Sequence, residues 1–308
     1  DNNSISIEKT LKNEVLIKNL SISDFNLENG DLISNAEILN MYYYNDSLSL
    51  EIEDLDSKIN EYELKDFNSY LSYADNKLIF QNINTNINKS NFSGSLELHN
   101  INDNNSLNYK GNIKSTSFYF SDFFNATNSV SYQLILDFEG NQNRIALSDL
   151  EIISSSSSFD GFVKLDLDTN EINGISVDIN KLKSSSTDLR KTYPGIFGDI
   201  LPTSISELGI FELSGYLKYS NNIIQSSFEL FTENGSVTSD LNISDFDDID
   251  NSKYEGIFIG KNLNLSKITG LPFLGFSDFN FNIDGRGFTN EYLNSSLKGN
   301  ISSVEIND

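Results

Sequence analysis

The chain of 308 residues contains no cysteine and no tryptophan, only one histidine and one methionine, and three prolines. Without cysteine there are no disulfides, no thiolate nucleophile and no cysteine metal site, and the redox compartment stays open. Basic residues are scarce: 21 Lys and Arg stand against 45 Asp and Glu, a net charge of −24. A field of that sign repels phosphates, so nucleic acid is not an expected partner. No apolar run approaches the ~20 residues of a membrane-spanning helix. The chain opens at Asp1 with neither a basic n-region nor an apolar h-region, and a fragment of a longer protein is expected.

Catalytic constellations are missing as well. His99 is the sole histidine and is expected to be a solvated residue at a strand end. There is no Gly-x-Ser-x-Gly elbow, and Gly285-Arg286-Gly287 lacks the third glycine of a phosphate-cradling loop. The acidic run Asp245, Asp247, Asp248, Asp250 lacks the glycine and distal glutamate of a calcium loop. No enzymatic activity, cofactor or metal is expected.

What is present is period-two alternation. Leu48, Leu50, Ile52; Leu134, Leu136, Phe138; Val163, Leu165, Leu167; Ile175, Val177, Ile179; and Phe279, Phe281, Ile283 are separated by polar residues, with Ile135 the exception. Such segments are strands with one wet face. Turn signals lie between strands, among them Glu28-Asn29-Gly30-Asp31, Ala74-Asp75-Asn76-Lys77, Glu139-Gly140-Asn141, Ser220-Asn221-Asn222 and Glu233-Asn234-Gly235, and the serine run Ser154 to Ser158 reads as a further turn. An all-β fold follows, an antiparallel meander. Gly140 and Gly285 are expected at turns or bulges that need positive φ. From Thr187-Asp188 to Leu208 the apolar spacing turns helical, with Asp188 placed for first-turn amides and Pro194 and Pro202 interrupting. One or two short helices are expected near 187–209, and helical turns at Ser121 to Ala126 and Ser266 to Gly270.

The chain also repeats. Phe92 to Gly140 aligns without a gap on Val237 to Gly285 at an offset of 145 (254 − 109), with Tyr109-Lys110-Gly111 on Tyr254-Glu255-Gly256. Six of the 49 aligned pairs are identical, so the apolar positions carry the match. One residue of slippage brings Tyr70-Leu71-Ser72-Tyr73 onto Tyr216-Leu217-Lys218-Tyr219. The expected organisation is a leading β segment over 1–60, a first repeat unit with the helical insert over 61–205, and an incomplete second unit over 206–308. Each strand offers about three large side chains whose burial is worth roughly 1.5 to 3 kcal/mol apiece. The helices are too few to cover them, so the sheet must close as a sandwich or barrel, stack as a solenoid, or curl into a trough that meets an apolar ligand.

A run of small patterns resembles a known family. Thr187-Asp188-Leu189, Tyr193-Pro194, Leu201-Pro202, Leu208-Gly209, Ser214-Gly215-Tyr216-Leu217, Asn234-Gly235-Ser236, Tyr254-x-Gly256, Asn262-Leu263-Asn264-Leu265, Asp284-Gly285-Arg286-Gly287-Phe288 and Leu297-Lys298-Gly299-Asn300-Ile301 are similar to the TamB proteins. These are translocation and assembly module proteins, here of the Bacteroidetes type, within the wider AsmA-like group. The resemblance is best over residues 180 to 308. It implies a middle section of a long curled β-groove in the periplasm, part of a protein anchored in the inner membrane. It also implies an interior that shields phospholipid acyl chains on their way to the outer membrane, or that supports barrel assembly with a TamA- or BamA-like partner. On that reading Leu96, Leu98, Leu134, Leu136, Phe138, Leu241, Ile243, Phe279, Phe281 and Ile283 line the groove as a non-specific apolar wall. The competing expectations are a structural or adhesive cell-surface β-repeat protein with a closed core, and an outer-membrane barrel with a wet lumen.

Overall fold

A computed structural model describes residues 5–11, 14–26, 32–124, 130–168, 171–192, 209–289 and 291–306. The chain packs as two units, Asp1–Asn125 with Ser129–Leu147, and Ala126–Asn128 with Ser148–Asp308. The sequence bounds at 60 and 205 follow the repeat rather than this division. The first unit is a meander of β1 (Ile5–Leu11), β2 (Glu14–Asn26), β3 (Leu32–Tyr44), β4 (Ser47–Ile59), β5 (Tyr62–Ala74), β6 (Lys77–Ile87), β7 (Ser90–His99), β8 (Asn108–Phe118) and β9 (Tyr132–Asn141), each antiparallel to the next. β10 (Arg144–Ile153) begins in this unit. The second unit runs through β11 (Ser158–Asp168), β12 (Glu171–Ser185), β13 (Ile210–Ser220), β14 (Ile223–Thr232), β15 (Gly235–Ser244), β16 (Lys253–Asn264), β17 (Leu274–Arg286) and β18 (Asn294–Ile306), again antiparallel in chain order. Among the described residues no ladder returns from β18 to β11, so this sheet is open.

Among the described residues helix is confined to α1 (Ser186–Thr192), α2 (Leu265–Thr269) and two 3-10 turns, Asn104–Ser106 and Phe120–Asp122. The last two expected turns are therefore present at Phe120–Asp122 and α2, while 193–208 and Ala126 lie outside the described residues. α1 starts slightly ahead of the expected Thr187-Asp188. Ser185 is its cap: the Ser185 hydroxyl donates to the Asp188 carboxylate at 2.8 Å and accepts the Asp188 N–H at 3.1 Å. The Asp188 N–H to Ser185 hydroxyl bond is the N-cap arm of a capping box, and it places Asp188 at the third helical position instead of at the cap.

The abundance of Asn and Asp has a backbone cause. Every non-glycine residue with positive φ among the described residues is Asn or Asp, the two types that tolerate the left-handed region best. Asn45-Asp46, Asp75-Asn76 and Asn221-Asn222 adopt it in pairs, as two-residue hairpins require. Asp54, Asp66, Asn82 and Asn262 adopt it inside strands, at bulges between Ile52 and Leu55, Lys65 and Asn68, Phe80 and Ile83, and Gly260 and Leu263. Each bulge inserts one residue and shifts the alternation by one, so that apolar side chains stay on the same face while local twist increases.

The turn expected at Glu139-Gly140-Asn141 comes later, at Gln142-Asn143. Gly140 and Gly285 lie inside strands and have no positive φ, which corrects the turn or bulge expected for them.

The apolar layer is thin. The described side chains with less than 2% exposure are Ser90, Ser184, Ser186, Ser239, Ser252 and Ser277. The buried large residues, among them Phe118, Tyr132, Leu134, Leu136, Leu150, Phe211, Ile243, Tyr254 and Leu263, all keep some access.

Candidate functional site

In an antiparallel sheet, residues paired in register share a face. In the second unit this places Val163, Val177, Leu217, Ser226, Leu241, Gly256, Ile283 and Leu297 in one row across eight strands. The next row on that face carries Phe228, Ser239, Phe258, Phe281 and Gly299. A third carries Leu213, Leu230, Val237, Gly260, Phe279 and Ile301. All five expected residues of this unit, Leu241, Ile243, Phe279, Phe281 and Ile283, therefore belong to one continuous apolar face. In the first unit Leu98, Tyr109 and Gly140 form one row, Leu96, Gly111 and Phe138 the next, and Ile113 with Leu136 and Ser115 with Leu134 continue it. The five expected residues there again share a face. Phe228, Phe258, Leu213 and Leu230 are equal members that sequence reading did not single out. Their signal is register, which no single strand carries.

The 145-residue repeat holds at the level of register. Leu96, Gly111 and Phe138 correspond to Leu241, Gly256 and Ile283, and Leu98, Tyr109 and Gly140 to Ile243, Tyr254 and Gly285. The invariant element is a tyrosine laid over a glycine on the neighbouring strand. A Cβ at Gly140 would lie 2.5 Å from the Tyr109 hydroxyl, and one at Gly285 would lie 2.5 Å from three atoms of Tyr254. The glycines are there because an aromatic ring fills the space their side chains would take.

The ten residues are not equally covered. Leu134 (7%), Leu136 (9%) and Ile243 (8%) are buried, and the other seven are half-buried. In the first unit the row after Leu134 on this face opens an aromatic cluster: Phe118 meets Phe120 edge-on at 4.9 Å, Phe120 meets Tyr132 at 4.9 Å, and Phe123 stacks on Phe118 at 5.5 Å. Its 3-10 turn is pinned by Asp122, which accepts from the Ser90 hydroxyl at 2.7 Å and the Lys89 N–H at 3.0 Å. In the second unit the equivalents of Ser90 and Asp122 are Gly235 and Lys267, which cannot make this pin. There Phe279 and Phe281 stack at 5.0 Å on the face itself.

On β17 the opposite face is polar: it presents Asp278, Asn280, Asn282 and Asp284, with Asn280, Asn282 and Asp284 exposed and Asp278 partly covered. Asp278 accepts the Asn262 N–H at 2.6 Å and the Ser303 hydroxyl at 2.9 Å, and these bonds hold its carboxyl below the usual range. In the first unit Glu97 gathers Lys77 (2.8 Å), His99 (3.2 Å) and Lys110 (3.6 Å), and the Lys77 bond leads in lowering its pKa. His99 is half-exposed in this surface cluster.

Among the described residues no group of His, Cys, Asp or Glu is arranged to hold a metal, and no helix is long and apolar enough to cross a membrane. No protein-family model matches the chain, nor does any curated protein or solved structure.

Proposed function

We propose that the chain is a segment of a TamB-like protein of the bacterial envelope whose apolar sheet face shields phospholipid acyl chains between the inner and outer membranes, in support of outer-membrane assembly. The observation that carries the reading is a largely apolar sheet face whose large side chains, Phe228, Phe258, Phe279 and Phe281 among them, are only partly covered. A side chain left partly in water forgoes a corresponding share of the roughly 1.5 to 3 kcal/mol that full burial contributes. Repeated over rows that cross eight strands in the second unit, this is a surface awaiting an apolar occupant, and contiguous apolar surface of that kind marks interaction sites. Acyl chains suit it because the wall is smooth hydrocarbon, with Phe228, Phe258, Phe279 and Phe281 and few polar groups to read a specific ligand. The acidic residues of the opposite face, Asp240, Asp278 and Asp284 among them, oppose association through its back. No covalent chemistry is required of any residue.

The purified chain, extracted with organic solvent and read by mass spectrometry, is expected to release phospholipid in stoichiometric amounts. Absence of lipid, together with full protection of Phe281 from apolar probes, would favour the closed adhesive repeat instead.

A further inference from the structure

We infer that the second unit, on the face opposite its apolar rows, holds a site for a small zwitterion: a molecule with a primary ammonium group and an anionic group a few bonds away. This inference does not depend on the lipid reading. Asn242, Glu255 and Asp284 pair in register across β15, β16 and β17, and with Lys253 and Arg286 they line a cavity of about 510 Å³. The row is rich in acceptors and short of donors. The Asn242 amide donates to the Glu255 carboxylate at 3.3 Å, which fixes its orientation, because a carboxylate only accepts. The Asn242 side-chain oxygen is then left buried with no hydrogen-bond partner. Glu255 and Asp284 stand directly opposite each other, like charge against like, an arrangement that costs stability unless a cation comes between them.

The first copy contains the missing group. The offset of 145 places Glu97, Lys110 and Glu139 on Asn242, Glu255 and Asp284, in the same register. There the middle position is a lysine, whose ammonium lies 3.6 Å from Glu97 and which stands opposite Glu139. The cavity beside that row is only about 280 Å³, and all its lining residues except Arg144 are repeat mates of residues lining the larger one. The second copy thus keeps an acceptor at each end of the row, replaces the ammonium between them by a third acceptor, and enlarges the space. A primary ammonium from outside, with three N–H donors, suits Asn242, Glu255 and Asp284 together. The remainder of the ligand meets Lys253 and Arg286, one row on and about 7 Å along the strands. Their side chains are steadied by Asp245 and Asn251 respectively. Two cations at that end disfavour a diamine and favour an anionic group.

The probe is 4-aminobutanoate, titrated into the isotopically labelled intact chain with backbone amide shifts read by NMR. The expected result is saturable shifts centred on Asn242, Glu255 and Asp284. Affinity should fall about tenfold or more for the N-trimethyl analogue, which keeps the positive charge but has no N–H to donate, and for butanoate, which has no cation. Glu255→Lys, which restores the residue type of the first copy, should abolish the shifts; Glu255 is exposed, and an unchanged circular dichroism spectrum checks that the fold is kept. Absence of saturable shifts at millimolar probe overturns the inference. So does equal affinity for the trimethyl analogue or for butanoate, or undiminished binding to the Glu255→Lys variant.

Discussion

At one level of the sheet the two copies of the repeat solve the same packing problem in opposite ways. In the first, bulk sits in the cover: Phe118, Phe120, Phe123 and Tyr132 pack together, and the wall beneath is Leu134 and Leu136, both buried. In the second, the corresponding positions are Leu263, Leu265, Ile268 and Ser277, and the bulk has moved into the wall as Phe279 and Phe281. The strand register is the same in both, so the backbone does not dictate whether the face is covered. What differs is side-chain volume and the Ser90 to Asp122 hydrogen bond, which only the first copy has. The second unit is therefore the better candidate for contact with an apolar ligand at this level.

The largest expected effect comes from removing the cover. Phe120→Ala should destabilise the first unit by about 3 to 5 kcal/mol in urea unfolding, the usual cost of emptying a buried phenylalanine site. Phe281→Ala, only partly covered on the wall, should cost less, about 2 kcal/mol. Equal losses would erase the distinction between covered and open copies. Next come the glycines under tyrosine. Gly140→Ala and Gly285→Ala should each cost about 1 to 3 kcal/mol by overpacking, with Gly140→Ala the costlier, because its added Cβ would also meet the Arg144 carbonyl oxygen at 2.5 Å, while at Gly285 the nearest atoms all belong to the Tyr254 side chain. Equal costs would show that the tyrosine alone sets the constraint in both copies. Ser239→Ala should be stabilising by about 1 kcal/mol, since the Ser239 hydroxyl is 1% exposed and has no hydrogen-bond partner, and an unsatisfied buried hydroxyl is a cost.

The smallest effect concerns the bulges that both copies share, between Ser115 and Phe118 and between Gly260 and Leu263. In the first copy the Asn91 side-chain oxygen accepts the Thr116 and Ser117 N–H groups at 2.9 and 3.1 Å. In the second, the Asp278 carboxylate accepts the Asn262 N–H. Because the folded-state pKa of Asp278 is lowered, its contribution is present above the unfolded value of about 3.9 and is lost as pH falls through the folded value. Amide exchange at Asn262 should therefore report a bulge that loosens in acid, beyond the intrinsic pH dependence of exchange. Ser117, held by a neutral amide, should show no such change, and Asp278→Asn should remove the difference.

Much of this fold was legible in the chain. The alternation in Leu134-x-Leu136-x-Phe138 and Phe279-x-Phe281-x-Ile283 reads directly as one-faced strands, and Asp75-Asn76 and Asn221-Asn222 read as tight hairpins. The 145-residue offset reappears as shared register. What was hidden has specific causes. In-strand bulges at Asp54, Asp66, Asn82 and Asn262 break period two by one residue, and in a sequence so rich in Asn and Asp that break looks like a turn or like noise. Gly140 and Gly285 were misread because their requirement comes from a tyrosine on the next strand, 31 residues earlier in each copy (140 − 109 and 285 − 254). The unequal cover of Leu136 and Phe281 depends on which loop packs down, and only the three-dimensional neighbours of Phe120 reveal that.

The central claim, that the apolar face of the second unit receives acyl chains, is tested most directly by site-specific photocrosslinking in cells. A photoreactive phenylalanine analogue at Phe281 should crosslink to phospholipid, and the same analogue at the covered Leu136 should not, each variant first shown to be folded by circular dichroism. Absence of lipid adducts at Phe281, or adducts of equal yield at both positions, would contradict the account.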